Sequence, residues 1–121
     1  MKANELRMGN FVEGEQGYVY PWELSDFYDC YNDHNSHEYV NSVKPILLTE
    51  EWLLKFGFEK VNRDVPAYEK ENLIVEWLFE RWTGRLYMDV YNSIQIIELK
   101  SVHQLQNLYF VLTGEELTIS E

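Results

Sequence analysis

The sequence predicts an α+β fold: an antiparallel β-meander packed by a C-terminal helix, with an N-terminal hairpin and a short central helix ahead of them. Three observations carry this. Five segments between residues 58 and 99 have strand-like apolar patterning and are separated by short turn-forming clusters. Residues 102–112 set Val102, Leu105, Leu108, Tyr109 and Leu112 on one helical stripe. The 121 residues, 45% hydrophobic with four Trp, nine Tyr and six Phe, suit one domain over 1–121. Aromatic content on that scale supplies enough buried apolar area to offset chain entropy, so a disordered chain is excluded.

From the N-terminus, Leu6–Val12 reads as a strand, Gly14–Gly17 as a turn, and Gly17–Tyr20 as the returning strand that Pro21 ends. Trp22, Leu24, Phe27, Tyr28 and Tyr31 have approximate helical spacing before the polar loop Asn32–Ser36. Thr49 caps a two-turn helix that starts with Glu50 and Glu51 and stops at Gly57. The meander runs through 58–61, 67–70, 73–80, 85–91 and 94–99, with turns at Asn62-Arg63-Asp64, Glu71-Asn72, Thr83-Gly84 and Asn92-Ser93. Alternation puts Leu73, Val75, Trp77 and Phe79 on an apolar face, Ile74, Glu76, Leu78 and Glu80 on the other, and Leu86, Met88 and Val90 together on the next strand. The last helix covers the apolar face, with Ser101 and Gln104 as a capping box and Gly114 past its end. No repeat or linker divides the chain.

Charge separates this frame from a distinct N-terminal part. The net charge is −11, from 21 acidic and 10 basic side chains, which opposes direct nucleic-acid binding because phosphate contacts need clustered Lys and Arg. Residues 8–43 hold no Lys or Arg, yet carry Glu13, Glu15, Glu23, Asp26, Asp29, Asp33 and Glu38. Phe11, Tyr18, Tyr20, Trp22, Phe27, Tyr28, Tyr31 and Tyr39 are interleaved with them. Tyr and Trp are favoured interface anchors, and carboxylates beside them can pair with Arg or Lys of a basic protein. The plainer reading is that some rings face the core while the acids keep the surface solvated. The one cysteine, Cys30, excludes an internal disulfide. No apolar run is long enough to span a bilayer, so a reducing cytoplasm is the expected compartment.

Three stretches, Met-Lys-Ala-Asn-Glu-Leu-Arg-Met-Gly-Asn at 1–10, Leu-Thr-Glu-Glu-Trp-Leu-Leu-Lys-Phe-Gly-Phe at 48–58, and Val-His-Gln-Leu-Gln-Asn-Leu-Tyr-Phe-Val-Leu-Thr-Gly-Glu-Glu-Leu at 102–117, resemble small uncharacterised proteins encoded by phages, prophages and mobile elements of Bacteroidota bacteria. Residues 13–45 fall outside the resemblance. It implies no catalytic residues. It does imply a genetic setting in which small proteins often bind host proteins, nucleic-acid-guided defence enzymes among them.

No phosphate-binding Gly-rich loop, nucleophile-elbow Ser, His-Glu-x-x-His or Cys-x-x-Cys motif is present. Cys30, Asp33, His34 and His37 could ligate a divalent metal, but their spacing fits no standard zinc module and their Asn- and Ser-containing setting reads more simply as a polar turn. Cys30 with either His lacks the oxyanion donors and orienting group of a nucleophilic site. Glu76 and Glu80 sit about 13 Å apart on one strand face, too far for a glycosidase pair, and read as solvent-face residues. His103 reads as a surface or sheet-packing residue. Trp77, Trp82, Tyr87 and Tyr91 lack the positive groove of a base-stacking platform.

These observations predict a non-enzymatic interaction module without a cofactor or bound metal. Its acidic, aromatic segment would occupy the basic groove of a host protein, for instance an RNA-guided nuclease or another nucleic-acid-binding protein, in the manner of an anti-CRISPR inhibitor. The partner-binding residues would be Glu13, Glu15, Tyr18, Tyr20, Trp22, Glu23, Asp26, Tyr28, Asp29, Tyr31 and Asp33. Two alternatives stand beside it: a metal-binding or enzymatic accessory protein built on Cys30, His34 and His37, and a phage structural or assembly protein that self-associates through strand edges and rings.

Overall fold

A computed structural model describes residues 5–23, 26, 43–87 and 93–119, and the chain falls into two compact units. The first comprises residues up to Leu47 together with Ser101–His103; the second comprises Leu48–Lys100 and Gln104 onward.

In the first unit, β1 (Phe11–Glu13) pairs antiparallel with β2 (Val19–Pro21) in the register Phe11↔Pro21, Val12↔Tyr20 and Glu13↔Val19. The strand expected over Leu6–Val12 is shorter and later than predicted, because Arg7–Asn10 forms a turn in which the Asn10 side chain accepts from the Arg7 amide at 2.7 Å. β2 ends at Pro21 as expected, and two backbone bonds follow it, Trp22 N–H to Asn10 C=O and Gly9 N–H to Trp22 C=O, both 2.7 Å. Pro lacks a donor, so it is tolerated here on an outer strand. The other side of β1 exchanges two backbone bonds between Glu13 and Lys44. Leu6, Val12, Trp22, Val43, Ile46 and Val102 are buried apolar residues of this unit.

The second unit opens with α1 (Glu50–Lys55), bounded as predicted. Thr49 Oγ1 accepts from the Trp52 amide, and two acids occupy the positive first turn. Gly57 takes φ +86° at the helix end, where Phe58 N–H reaches Leu53 C=O and Gly57 N–H reaches Leu54 C=O. The Lys70 ammonium donates to the freed Phe56 carbonyl at 2.7 Å.

The five-stranded sheet then runs in sequence order: β3 (Glu59–Val61), β4 (Ala67–Lys70), β5 (Leu73–Leu78), β6 (Arg81–Tyr87) and β7 (Ser93–Leu99), each antiparallel to the next. This is the predicted meander, and α2 (Val102–Thr113) supplies its helix. Leu108 of α2 and Leu99 of β7 lie over Gly84. Tyr109 meets Phe58 edge-on at 6.4 Å, with the Lys70 ammonium 5.8 Å from its ring. At the start of α2, Gln104 accepts from the Lys100 amide at 2.8 Å, whereas Ser101 Oγ engages His103 Nδ1 at 3.1 Å. Gly114, at φ +75°, closes the helix by donating to Phe110 C=O.

Three strand-level expectations are corrected. The β5–β6 turn is Phe79-Glu80 rather than Thr83-Gly84, which lie inside β6 opposite Glu76 and Val75. Gly84 serves to leave room for Leu108 and Leu99, so its small size reflects packing and not turning. Phe79 accordingly leaves the apolar sheet face for the turn. Glu76 is not a solvent-face residue but buried, since β5 is covered on both faces from Leu73 to Glu76. Its carboxylate pairs with Arg85 across the ladder at 2.5 Å. Ser93, expected in a turn, pairs with Tyr87. Asn92, Met88 and Val90 lie outside the described residues.

Candidate partner-binding surface

The β1–β2 hairpin and its continuation carry the described part of the predicted surface. Gln16 and Gly17 adopt φ +64° and +82°, which reverse the chain within five residues, and Gly14 N–H to Tyr18 C=O closes the loop at 2.8 Å. The Tyr20 ring lies so close over Gly14 that a β-carbon there would stand 2.9 Å from it. Tyr20 is thus held against the turn, half-buried, while Tyr18 is 70% exposed and Val19 is exposed beside it. The Glu13 carboxylate reaches toward Gly17 across the same turn. Glu15 lies in the turn itself.

Beyond β2, Glu23 is exposed and its amide donates to the Asp26 carboxylate at 2.8 Å, while Asp26 N–H returns to Glu23 C=O. Asp26 is therefore partly committed to a local turn. Trp22 departs from its predicted role: it is fully buried, so its ring presents nothing to a partner. Tyr28, Asp29, Tyr31 and Asp33 lie outside the described residues, as do Cys30, His34 and His37. Among the predicted residues, the structure gathers Glu13, Glu15, Tyr18 and Tyr20 on one hairpin, with Glu23 and Asp26 following it.

His103, read as a surface or sheet-packing residue, is buried beside Ser101. Burial lowers its pKa below the ordinary histidine value, with the Glu5 carboxylate opposing the shift. Burial also pushes the Tyr68 hydroxyl up to about 12, assisted by its hydrogen bond to Glu50. Tyr109 is raised by burial and by the Glu71 and Glu115 carboxylates, against the lowering hydrogen bond from Thr113. These phenols stay protonated and structural at neutral pH.

Two features of the second unit escaped sequence reasoning. Buried Glu76, paired with half-buried Arg85, borders an open cleft of about 410 Å³ lined by Arg63, Asp64, Val65 and Glu76. The β5–β6 hairpin also displays Phe79 and Trp77 to solvent. The available signal for the second was the sequence Trp77-Leu78-Phe79-Glu80-Arg81-Trp82, in which two tryptophans flank a four-residue reversal. Among the described residues no three His, Cys, Asp or Glu side chains converge as a metal site requires, and no helix is long and apolar enough to cross a membrane. In comparisons with protein-family models, curated proteins and solved structures, the chain has no significant match.

Proposed function

We propose that the protein is an interaction module whose acidic hairpin docks on a basic surface of another protein. The observation that carries this reading is Tyr18, 70% exposed at the tip of a hairpin set in a stretch of chain, residues 8–43, that has carboxylates and no Lys or Arg. A stable isolated hairpin has no need of an exposed phenol there, whereas an interface uses a ring for buried area and carboxylates for steering and pairing. A surface evolved to hold nucleic-acid phosphates offers the complementary charge. The mobile-element resemblance makes a bacterial host's nucleic-acid-handling defence effector the first partner to seek, in the cytoplasm, with inhibition by occlusion.

The test is co-purification from host lysate with identification by mass spectrometry, comparing the wild type with Tyr18→Ala/Glu23→Lys. The reading expects a basic nucleic-acid-binding protein that is recovered at low salt, weakens as salt rises, and is lost with the double variant. Recovery of no basic protein, or capture insensitive to both the substitutions and salt, overturns it.

A further inference from the structure

The β5–β6 hairpin ends in an arrangement that stability alone does not select. Leu78 pairs with Arg81, so Phe79 and Glu80 are the whole loop, and both have positive φ, 51° and 65°. Two-residue loops of this form favour Asn-Gly or Asp-Gly, because a β-carbon is disfavoured in the left-handed region, and a bulky ring there is uncommon. The Phe79 side chain also gains no compensating burial: it is 88% exposed.

Beside the loop lies a packed aromatic row. Trp77 and Trp82 are directly opposed across the ladder, with ring centroids 5.0 Å apart, and Tyr68 meets Trp82 edge-on at 5.9 Å. This row leads from buried Tyr68 to Trp77, which is 38% exposed. Held by these contacts, Trp77 loses little side-chain entropy on being covered, the property that makes such rings effective anchors. Charge at the tip identifies what would cover it. Arg81 is engaged by Glu98 at 3.9 Å, while Glu80 is exposed and makes no ion pair among the described residues. The tip is therefore net negative, on a chain of net charge −11. That combination is repelled by anionic lipid and by a second copy of the chain, and matches an apolar pocket with cationic neighbours.

We infer that the β5–β6 tip is a second docking element, in which Phe79, with the exposed part of Trp77 two residues before it, inserts into an apolar pocket rimmed by Lys or Arg on another protein. It lies in a different unit from the acidic hairpin and does not depend on the function proposed for that hairpin. The probe is a labelled helical peptide of Leu and Lys with one apolar face bordered by ammonium groups, compared by fluorescence anisotropy with a Lys-only peptide of equal length. The wild type should prefer the Leu/Lys peptide by about tenfold or more, the worth of burying one large ring. Phe79→Asn/Glu80→Gly should abolish that preference while thermal unfolding shows the fold intact, and Phe79→Ser removes the ring without altering Glu80. Tyr18→Ala/Glu23→Lys should keep the preference, which separates this tip from the acidic hairpin. An undiminished preference without Phe79 overturns the inference. So does Phe79-dependent binding to anionic or zwitterionic vesicles, or a Phe79-dependent dimer in light scattering, since each names a different occupant.

Discussion

Gly84 shows how one absent side chain positions an element. An added β-carbon would stand 3.1 Å from both Leu108 and Leu99, tighter than ordinary packing, and its φ lies outside the left-handed region, so the cost of substitution is one of space. Gly84→Val should therefore destabilise the fold by about 1–3 kcal/mol, the usual cost of overpacking, with Gly84→Ala costing less because the leucine ends can yield. Urea midpoints measure both. His103 permits a different test. Its folded pKa is depressed by burial, so in the window below about 6.5 the unfolded chain binds a proton that the folded chain does not. The associated stability is fully present above that value and falls as pH drops toward the folded pKa. His103→Asn, which keeps a polar atom near the Nδ1 position facing Ser101, should flatten this dependence. The difference in urea midpoint between about pH 7.5 and 5.5 should be smaller in the variant than in the wild type.

At the scale of elements, what could be read in the chain tracks whether local chemistry or tertiary packing decides. The boundaries of α1 are local: Thr49 accepts at one end and Gly57 turns left-handed at the other, so residues six to eight apart settle the matter. The Glu71-Asn72 turn is local in the same sense, with Asn72 at φ +67°. The β5–β6 turn is not, because its loop holds neither Gly nor Asn, while the Thr83-Gly84 pair that resembles a turn is interior to β6. Only the helix laid over Gly84 explains that glycine, and alternation cannot reveal that the second face of β5 is covered, which is why Glu76 reads as exposed. The acidic hairpin was legible through charge and turn residues, but not the burial of Trp22, which depends on tertiary packing. The misplaced turn yields a prediction of its own. Replacing Phe79-Glu80 by Asn-Gly removes one side chain from the left-handed region, worth about 1–2 kcal/mol, and puts the more tolerant Asn in place of the ring at the other position, partly offset by the backbone entropy of the new glycine. A net gain of about 1 kcal/mol in unfolding free energy is expected, and a loss would mean that Phe79 packs more than its exposure indicates.

For the whole molecule, a net charge of −11 acts on stability and on association with opposite sign. Within the folded chain the acids outnumber the bases by enough that mutual repulsion opposes compaction. The described ion pairs offset little of it: Lys55–Glu51 is solvent-exposed, Arg81–Glu98 is long at 3.9 Å, and Arg85 is spent on Glu76. Screening should therefore stabilise the protein. Raising monovalent salt from about 0.01 M to about 0.15 M contracts the Debye length from roughly 30 Å to roughly 8 Å, which weakens repulsion between separated carboxylates more than contact pairs. The thermal midpoint should rise by a few degrees over that range, on the order of 1 kcal/mol for a domain of this size. Association with a basic surface depends on the same long-range field as an attraction, so its on-rate should fall over the same range. Scanning calorimetry and stopped-flow binding to a Lys-rich peptide, run in matched buffers, measure the two. A midpoint that falls with salt would show that attractive pairs outweigh repulsion in the folded chain, and an on-rate indifferent to salt would remove the electrostatic case for a basic partner.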